Sequence, residues 1–519
     1  MVDQTVILVD KFNKRLGYAP KEEAHTGRGR RHRAFVTLLF DRDNNVLLQR
    51  RKHRLFDNLW DLTAISHPLH LKDRDESYQE ASDRALLKEM GIGHVPIRNV
   101  GGFNYFAKHG PNCENEYCSI LVGDYDGRFK MNRKEVYKAK WVKFENFLVD
   151  TGKNAKDYTP WAILTAKGLK NQDPNIFNRE LANFLASYAP YAKTSYAKKV
   201  REAQKYSPVI ANLYKDLYTF SEGGKKLRAY FVWIGYQIGG GRDFSAVLPI
   251  SFAFEMTQNF LLIHDDVMDN SDVRRGKPTI HKIYEKRHGK HYGESMAILL
   301  GDIAAIEVFK IISDSKLSDE RKVLCQHLFA QTLLDTAYGQ GLDIEYSFRK
   351  PTFDQIMQIA ELKSGRYSVV APLTIGAKLS GARASQLAAL SRYGTAIGLV
   401  FQIADDILGV FGEEKALGKS TLSDMREGKN TLLIHKAKQM ANPADRVKIE
   451  RIWGRADASS ADLSGVKKIL ESSGALLWCQ AQNLKLIENA KGEIKKITTD
   501  KKLQQTLSQI ADFVVNRSR

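Results

Sequence analysis

Cysteine is scarce: four in 519 residues, with no Cys-x-x-Cys pair. That excludes a disulfide framework and makes a reducing cytoplasm the expected setting. No run of 18 or more apolar residues occurs, so no transmembrane segment is expected. The opening stretch MVDQTVILVDKFNKRL holds only a short apolar run broken by Asp10, too little for a secretory signal. Internal repeats, low-complexity tracts and Gly/Ser linkers are missing as well. Hydrophobic residues at 43% and charged residues at 27% are ordinary globular values and exclude general disorder. The length predicts two to four domains. Lys+Arg 79 against Asp+Glu 60 gives a net charge of +19, which calls for anionic partners. No RNP, zinc-finger or helix-turn-helix signature turns that charge toward nucleic acid, so phosphorylated metabolites are the expected partners.

Two textures meet near residue 170. Residues 4–9, 34–40, 46–50 and 117–123 are short and apolar or β-rich, bounded by turn residues such as Asp43-Asn44-Asn45, and predict strands. Residues 76–90 predict one helix ending at Gly91. From about 176 onward apolar residues recur at helical spacing, in 246–264, 294–315, 320–338, 353–377, 384–401 and 481–515. The fold class is therefore multidomain: an α+β domain over 1–172, a helical junction over 173–195 and an all-α bundle over 196–519.

The sharpest motif is Asp265-Asp266-Val267-Met268-Asp269, after the apolar Phe260-Leu261-Leu262-Ile263. On a helix Asp265 and Asp269 share a face, with Asp266 beside them. Such carboxylates repel one another, and divalent cations relieve the repulsion. Taken alone, the segment also reads as a solvated acidic helix end. The pattern recurs at Phe401-Gln402-Ile403-Ala404-Asp405-Asp406, again at the end of an apolar stretch. Two such ends facing each other could hold Mg²⁺ around a diphosphate. Basic residues at Lys225, Arg228, Arg274, Arg275, Lys363, Lys419 and Lys429 suit phosphate oxygens. The matching chemistry is ionisation of an allylic diphosphate, with charge building on the leaving group.

The stretches GGKKLR, HDDVMDNSDVRRGKPTIH, GQGLD, KSGRYS, GLVFQIADDILGVFGE and GKSTLSDMREGKNT make residues 190–519 resemble a trans-isoprenyl diphosphate synthase. The resemblance implies an isoprenoid synthase helical bundle, head-to-tail condensation, dimers through the helical half, and about three Mg²⁺ ions with diphosphate bound. It assigns Asp265, Asp266, Asp269, Asp405 and Asp406 to Mg²⁺ and the allylic diphosphate. Arg274, Lys363, Gln402, Lys419 and Lys429 join that diphosphate, and Lys225, Arg228, Gln258 and Arg275 take isopentenyl diphosphate. Dimethylallyl, geranyl and farnesyl diphosphates are the implied primers. Two positions depart from the family pattern: Gln258 stands where many members have His, and Gly409 where many have a third Asp. Two carboxylates can still reach one metal, so a modest affinity loss is expected. Phe260, five residues or about 7.5 Å of helix before Asp265, would floor the product tunnel, with the smaller Leu261 above it. That pattern resembles geranylgeranyl (C20) producers more than farnesyl (C15) producers.

In the first domain, Glu114 and Glu116 are i, i+2 in a strand-like stretch and project to one side. With His25, His32 and His67 they make a donor set that suits Mn²⁺, Zn²⁺ or Mg²⁺. The stretches AHT, RRHRAF, LLQRR, LWDLTAISHP, ENEYC and TPWA make residues 5–170 resemble a type I isopentenyl diphosphate isomerase, a branch of the Nudix superfamily. The Nudix box over 76–92 keeps Glu76, Arg84 and Glu89, but has His70 for the leading Gly and Ala85 and Lys88 for two Glu. The resemblance implies that the five donors hold a metal, that Glu89 holds a second Mg²⁺, and that Lys21, Arg51 and Arg54 bind diphosphate. Tyr105 and Trp161 would line the pocket, and Glu116 would be one of two acid/base groups flanking the alkene. The other, a Cys in the family, is here Ile65. Ile carries no proton. Three readings stay open: a scaffold or diphosphate sensor, a slow isomerase with an acid relocated to Ser66, Tyr105 or a metal-polarised water, or a shifted activity.

Overall fold

A computed structural model describes residues 4–170, 173–412 and 421–516. The chain divides into two compact units, one running to Arg179 and one from Glu180 onward.

The first unit is built on one nine-stranded sheet. Its strands are β1 (Thr5–Val9), β2 (Arg15–Pro20), β3 (His32–Phe40), β4 (Asn45–Arg51), β5 (Trp60–Asp61), β6 (Ala64–Ser66), β7 (Ile97–His109), β8 (Asn112–Asp124) and β9 (Val136–Lys143). The near-continuous apolar run of β3 is that of a strand buried on both faces. It lies parallel to β8 and antiparallel to β1, β4 and β6. A four-residue α1 (Lys21–Ala24) precedes β3. On one face, Phe35 and Leu39 pack under Ala81, Ala85 and Met90 of α2 (Tyr78–Met90). On the other, Ala34, Val36 and Leu38 meet Phe144 and Phe147 of α3 (Phe144–Lys153) and Trp161, Ala162 and Ala166 of α4 (Pro160–Leu169). Helix α2 starts with a capping box, Ser77 with Glu80, and ends on Gly91 at φ 62°.

Helix α5 (Ile176–Gln204) covers most of the expected junction. The second unit continues through α6 (Pro208–Ser221), α7 (Leu227–Ile238), α8 (Phe244–Met268), a hairpin of β10 (Val273–Arg274) and β11 (Lys277–Pro278), α9 (Ile280–His288), α10 (Lys290–Ser313) and α11 (Asp319–Ser347). After α12 (Phe353–Ile359), a π-helical stretch, Ala360–Val370, leads into α13 (Ala371–Leu379), so the segment read as one helix over 353–377 is three pieces. Then come α14 (Ala384–Phe411), α15 (Ser423–Arg426), α16 (Leu432–Met440), α17 (Pro443–Ile452), α18 (Ser460–Ser472), α19 (Ala475–Ile497) and α20 (Lys501–Asn516). The stretch read as one helix over 481–515 breaks between α19 and α20. There Asp500 Oδ1 accepts the backbone N–H groups of Lys502 and Leu503 at 2.8 and 3.2 Å and caps a new helix.

Helices α8 and α14 are long and apolar enough to cross a membrane by length and composition, which the run-length criterion of the sequence had not flagged. Yet 67% and 61% of their most apolar stretches are buried within the fold. They read as core helices. Both carry an acidic pair near the C-terminal end.

Candidate functional sites

The sheet register assembles the first site. Glu116 on β8 has His32 of β3 on one side and Tyr105 of β7 on the other. Glu114 is two residues away on the same face. On β6, Ile65 pairs with Val36, which shares the face of His32, so Ile65 and His67 point to that side as well. Ser66 pairs with Phe35 and points to the opposite face, under α2. His25 follows α1 directly.

One ligand atom each from His25, His32, His67, Glu114 and Glu116 falls within a span of 4.8 Å. His67 Nε2 lies 2.7 Å and His32 Nε2 3.4 Å from Glu116 Oε1, and His25 Nε2 lies 3.1 Å from Glu114 Oε2. His25 Nδ1 meets the Lys21 carbonyl at 2.6 Å and His32 Nδ1 meets that of Arg30 at 2.8 Å. A carbonyl only accepts, so each Nδ1 carries a proton and each Nε2 is turned inward toward the glutamates. Those two Nε2 atoms and Glu114 Oε2 are buried without a hydrogen bond. Burial opposes ionisation of Glu116, but His32 and the Tyr105 phenol hold its carboxyl below the usual range. Burial, with Lys21 and the other two rings, keeps His67 well below its ordinary value and therefore neutral. Buried carboxylates beside imidazoles whose Nδ1 atoms are tied to backbone carbonyls, leaving each Nε2 turned inward, fit a divalent cation.

The pocket beside this cluster is aromatic. Tyr105 donates to Glu116 Oε2 at 2.5 Å, and its ring lies 6.0 Å from that of Trp161. Ile65 packs against the same core. Burial lowers Lys21 despite the pull of Glu114 and Glu116, which brings that cation into the neighbourhood of the cluster. Arg51 is bound to the buried Asp61 at 2.9 Å and lies 4.9 Å over the Trp161 ring. Asp61 also accepts from Trp161 Nε1 at 2.7 Å, so it orients two expected pocket residues. Nothing in its spacing signalled that. Arg54 is exposed in the loop after β4. Glu89 is not brought into the five-donor cluster: it accepts from Gln49 at 2.5 Å, and burial pushes its carboxyl up to about 7. Arg84 and Glu76 pair at 2.8 Å and tie the His67 loop to α2, since Arg84 also donates to the His67 carbonyl at 2.9 Å.

The second site lies in the helical unit. Asp265 and Asp266 occupy the last turn of α8 and Asp269 caps it, its N–H donating to the Asp265 carbonyl at 2.8 Å. Carboxylates at a helix C-terminus oppose the helix dipole, by about 0.3–1 kcal/mol each. Cations compensate. Arg274 lies 2.6 Å from Asp266 and 3.3 Å from Asp265. Lys363, from the π-helical stretch, lies 2.6 Å from Asp343 and 3.7 Å from Asp265. Lys429 holds Asp269 at 2.9 Å and Glu427 at 2.8 Å, with Asp424 at 3.9 Å. Gln402 donates to Asp406 at 2.7 Å on α14. Burial pushes Asp266 up to about 6 and Asp406 up to about 7, the latter helped by Asp424, Asp405 and Asp343. Asp266 is 1% exposed, and its Oδ2 has no hydrogen-bond partner. Carboxylates crowded until two of them resist ionisation fit divalent cations. Asp343, Asp424 and Glu427 were not singled out from spacing, although all three lie inside quoted motifs.

Two glycines set this geometry. A Cβ on Gly339 of α11 would fall 2.3 Å from the Lys363 nitrogen, and one on Gly398 of α14 would fall 2.6 Å from Gly365 Cα. Only glycine lets both helices close on the π-helical stretch that carries Lys363. Next to the acids is a cationic group. Arg228 donates to Tyr367 and Ser368 at 3.1 and 2.7 Å, and Arg275 to the carbonyls of Phe220 and Glu222 at 3.2 and 3.3 Å. Burial lowers Arg275, and the charges of Arg274 and Arg228 lower it further. Lys225 lies 4.2 Å over the Phe513 ring, and Gln258 Oε1 is buried without a partner. Lys419 lies outside the described residues.

Residues 210–471 match the family model for polyprenyl synthetase, and residues 30–162 that for a NUDIX domain. A geranylgeranyl diphosphate synthase of Methanosarcina mazei is 33% identical over 307 residues, 59% of this chain and 90% of that protein. A geranylfarnesyl diphosphate synthase of Aeropyrum pernix is 31% identical over 311 residues, 58% of this chain and 93% of that protein. Among solved structures, the geranylgeranyl pyrophosphate synthase of Corynebacterium glutamicum, complexed with isoprenyl diphosphate and magnesium, aligns with a TM-score of 0.60. That match is 27% identical and covers 66% of this chain and 99% of that one.

The crowding of Asp406 gives a pH prediction. Its carboxyl, raised to about 7, stays protonated in the folded chain at pH values where an unfolded Asp has ionised. The native state then binds the extra proton between about pH 4 and 7, so this contribution to stability is full at low pH and lost as pH rises through that window. In EDTA, the melting temperature of Asp406→Asn should fall less between pH 5 and 8 than that of the unsubstituted chain. Parallel melting curves would refute the crowding.

Proposed function

As a member of the polyprenyl synthetase family that also carries a Nudix domain, the chain is a prenyltransferase, and we propose that it condenses isopentenyl diphosphate with allylic diphosphates to make geranylgeranyl diphosphate. The observation that carries this reading is the basin where Asp265, Asp266, Asp269, Asp405 and Asp406 lie among Arg274, Lys363 and Lys429. Mg²⁺ held there would draw charge from the leaving diphosphate. Arg274, Lys363 and Lys429, now paired with carboxylates, would turn part of their charge to that diphosphate. Arg228, Arg275, Lys225 and Gln258 would hold isopentenyl diphosphate without metal.

The C20 assignment rests on Phe260, partly buried on α8 before the acidic turn, its ring 5.3 Å edge-on from His264. The exposed Ile298, Leu299 and Ile306 of α10 and Val323, Leu334 and Tyr338 of α11 support pairing with a second copy.

The Nudix unit reads as an isopentenyl diphosphate isomerase-like domain with a five-donor metal site and an incomplete proton relay. Glu116 serves one side of an alkene. Ile65 supplies nothing at the matching position. Tyr105 is bound to Glu116 itself and raised well above its ordinary value, first by burial. Ser66 faces away. Neither replaces the missing acid, which favours a diphosphate-binding domain that isomerises slowly over one with a relocated acid.

Asp265→Ala or Asp266→Ala should cut condensation about 10²–10³-fold with the fold intact; a rate within threefold of the unsubstituted chain would remove the assignment. Phe260→Ala should shift the extracted alcohols from C20 to C25 and longer, whereas an unchanged chromatogram would show that Phe260 is not the floor. In an Asp266→Ala background, where isopentenyl diphosphate is not consumed, Ile65→Cys should raise deuterium uptake from D₂O by at least about 10²-fold. Robust uptake before the change would sink the incomplete-relay reading.

A further inference from the structure

Between β1 and β2 the chain turns through Asp10–Lys14, and several side chains hold that turn still. Asp10 Oδ1 accepts the N–H groups of Phe12 and Lys14 at 2.8 and 2.9 Å. Asn13, at φ 66°, accepts from Arg33 through its side chain at 2.9 Å and its carbonyl at 3.1 Å, and its amide donates to the Tyr78 hydroxyl at 3.1 Å. Asn104 of β7 donates to the Lys11 carbonyl at 2.8 Å. Phe12, in the middle of this pinned turn, is nevertheless 76% exposed, and Leu16 just after it is 69% exposed. Phe106, two residues past Asn104 and on the same face of β7, is 53% exposed. One exposed apolar side chain needs no explanation, but three gathered on a rigid corner do. Cations surround them. Lys11 lies 4.9 Å from the Phe12 ring and, with Leu16, Arg30 and Arg31, walls a cleft of about 540 Å³. Asp10 lines the cleft too, but its carboxylate is committed to the turn. Arg30 is paired with Glu23 at 2.9 Å and Arg15 with Asp75 at 3.4 Å. Lys11, Lys14 and Arg31 are in no ion pair among the described residues, and Arg31 Nε is buried without a hydrogen bond. Lys108 is exposed two residues beyond Phe106. Tyr105, which faces Glu116 and the five donors, alternates with Asn104 and Phe106 along β7, so this corner lies across the strand from the metal pocket.

We propose that this corner is a docking surface for an anionic lipid bilayer, with Phe12, Leu16 and Phe106 at the boundary between headgroups and acyl chains and Lys11, Lys14, Arg31 and Lys108 against the lipid phosphates. Apolar tips ringed by unpaired cations match a surface that is negative outside and apolar beneath. Leu16 has no ring to stack on a base, so the patch fits nucleic acid less well. A second copy of the same patch would set like charge against like charge. Because the turn is already fixed by Asp10, Asn13 and Asn104, inserting Phe12 carries little ordering cost. The net charge of +19 acts in the same sense at longer range. The inference does not depend on the reaction assigned to either site.

The test sediments the full chain with vesicles of phosphatidylcholine containing phosphatidylglycerol, in EDTA, with inorganic diphosphate present to occupy the cationic diphosphate sites. Binding is expected, weakening as salt is raised and absent on phosphatidylcholine alone. Lys11→Gln and Lys14→Gln should each weaken it about fivefold, and Phe12→Ser at least about tenfold. Phe12→Trp should bind like the unsubstituted chain and shift its emission to the blue on anionic vesicles, which reports burial of that one side chain rather than attraction of charge in general. Condensation measured without vesicles should be the same in all four variants, since none of these residues belongs to either site. No binding to anionic vesicles, an unshifted emission in Phe12→Trp, or undiminished binding in Phe12→Ser overturns the proposal. Binding of a single-stranded oligonucleotide that Phe12→Ser abolishes, with no vesicle binding, would make nucleic acid the occupant. Self-association lost in Phe12→Ser, again with no vesicle binding, would make it a second copy. Either result overturns the bilayer assignment.

Discussion

Carboxylates buried at the ends of apolar helices are the constraint on which the helical unit turns. Asp266 is 1% exposed, and Asp406 is buried enough to be pushed to about 7. Burying an unpaired charge costs several kcal/mol, so such groups exist only where cations, or protons, answer them. Here Arg274, Lys363 and Lys429 answer them, each divided among more than one acid. Three cations shared among more acids than that leave the basin with an excess of carboxylate. In the proposed reaction, divalent cations with a diphosphate would take over carboxylates and free the lysines and arginine to meet phosphate oxygens. The close packing of Gly339 and Gly398 against the π-helical stretch serves the same end by fixing where Lys363 enters.

The Nudix unit reaches a comparable state by a different route. There the hydrogen-bond register of three strands puts His32, Tyr105 and Glu116 side by side. A one-residue slip of β8 would send Glu114 and Glu116 to the α2 face. The backbone carbonyls of Lys21 and Arg30 then fix the tautomers of two rings. Helix position organises one site and strand register the other, which is why the two motifs look so different in sequence.

What was legible follows from that difference. The i, i+4 spacing of Asp265 and Asp269 and the i, i+2 spacing of Glu114 and Glu116 are local, and spacing alone gave their shared faces. Four of the nine strands, β1, β3, β4 and part of β8, and many of the long helices were visible in their periodicity, whereas β2, β5, β6, β7 and β9 were not read. Local patterns do not show what arrives from elsewhere. Asp343 enters the basin from α11 and Asp424 with Glu427 from the short stretch around α15, and only the folded chain brings Asp343 to Lys363 and that stretch to Asp269. Asp61, which orients both Arg51 and Trp161, is likewise a single acid with no pattern around it. The π-helical stretch has no signature distinct from a helical one. The break before α20 did leave a signal in Thr498-Thr499-Asp500, since Asp is a favoured cap, but the apolar periodicity on both sides obscured it.

Ile65 shows how far one side chain can weigh against a fold. The sheet face, the five donors and the aromatic pocket are all present, and Ile65 sits on that face two residues before His67. An isomerisation that moves a double bond adds a proton on one side and removes one on the other. The structure provides a base in Glu116, kept ionised below the usual range, and no complementary acid at position 65. Tyr105 is committed to the same carboxylate, and Cys118, raised well above its ordinary value first by burial, is sealed in the core. Metal and diphosphate recognition need only what is retained, whereas turnover needs what is absent. On the proposed reading, the Nudix unit keeps a binding surface with an incomplete proton relay, and the condensation falls to the helical unit, whose expected acids and cations all lie within the described residues except Lys419.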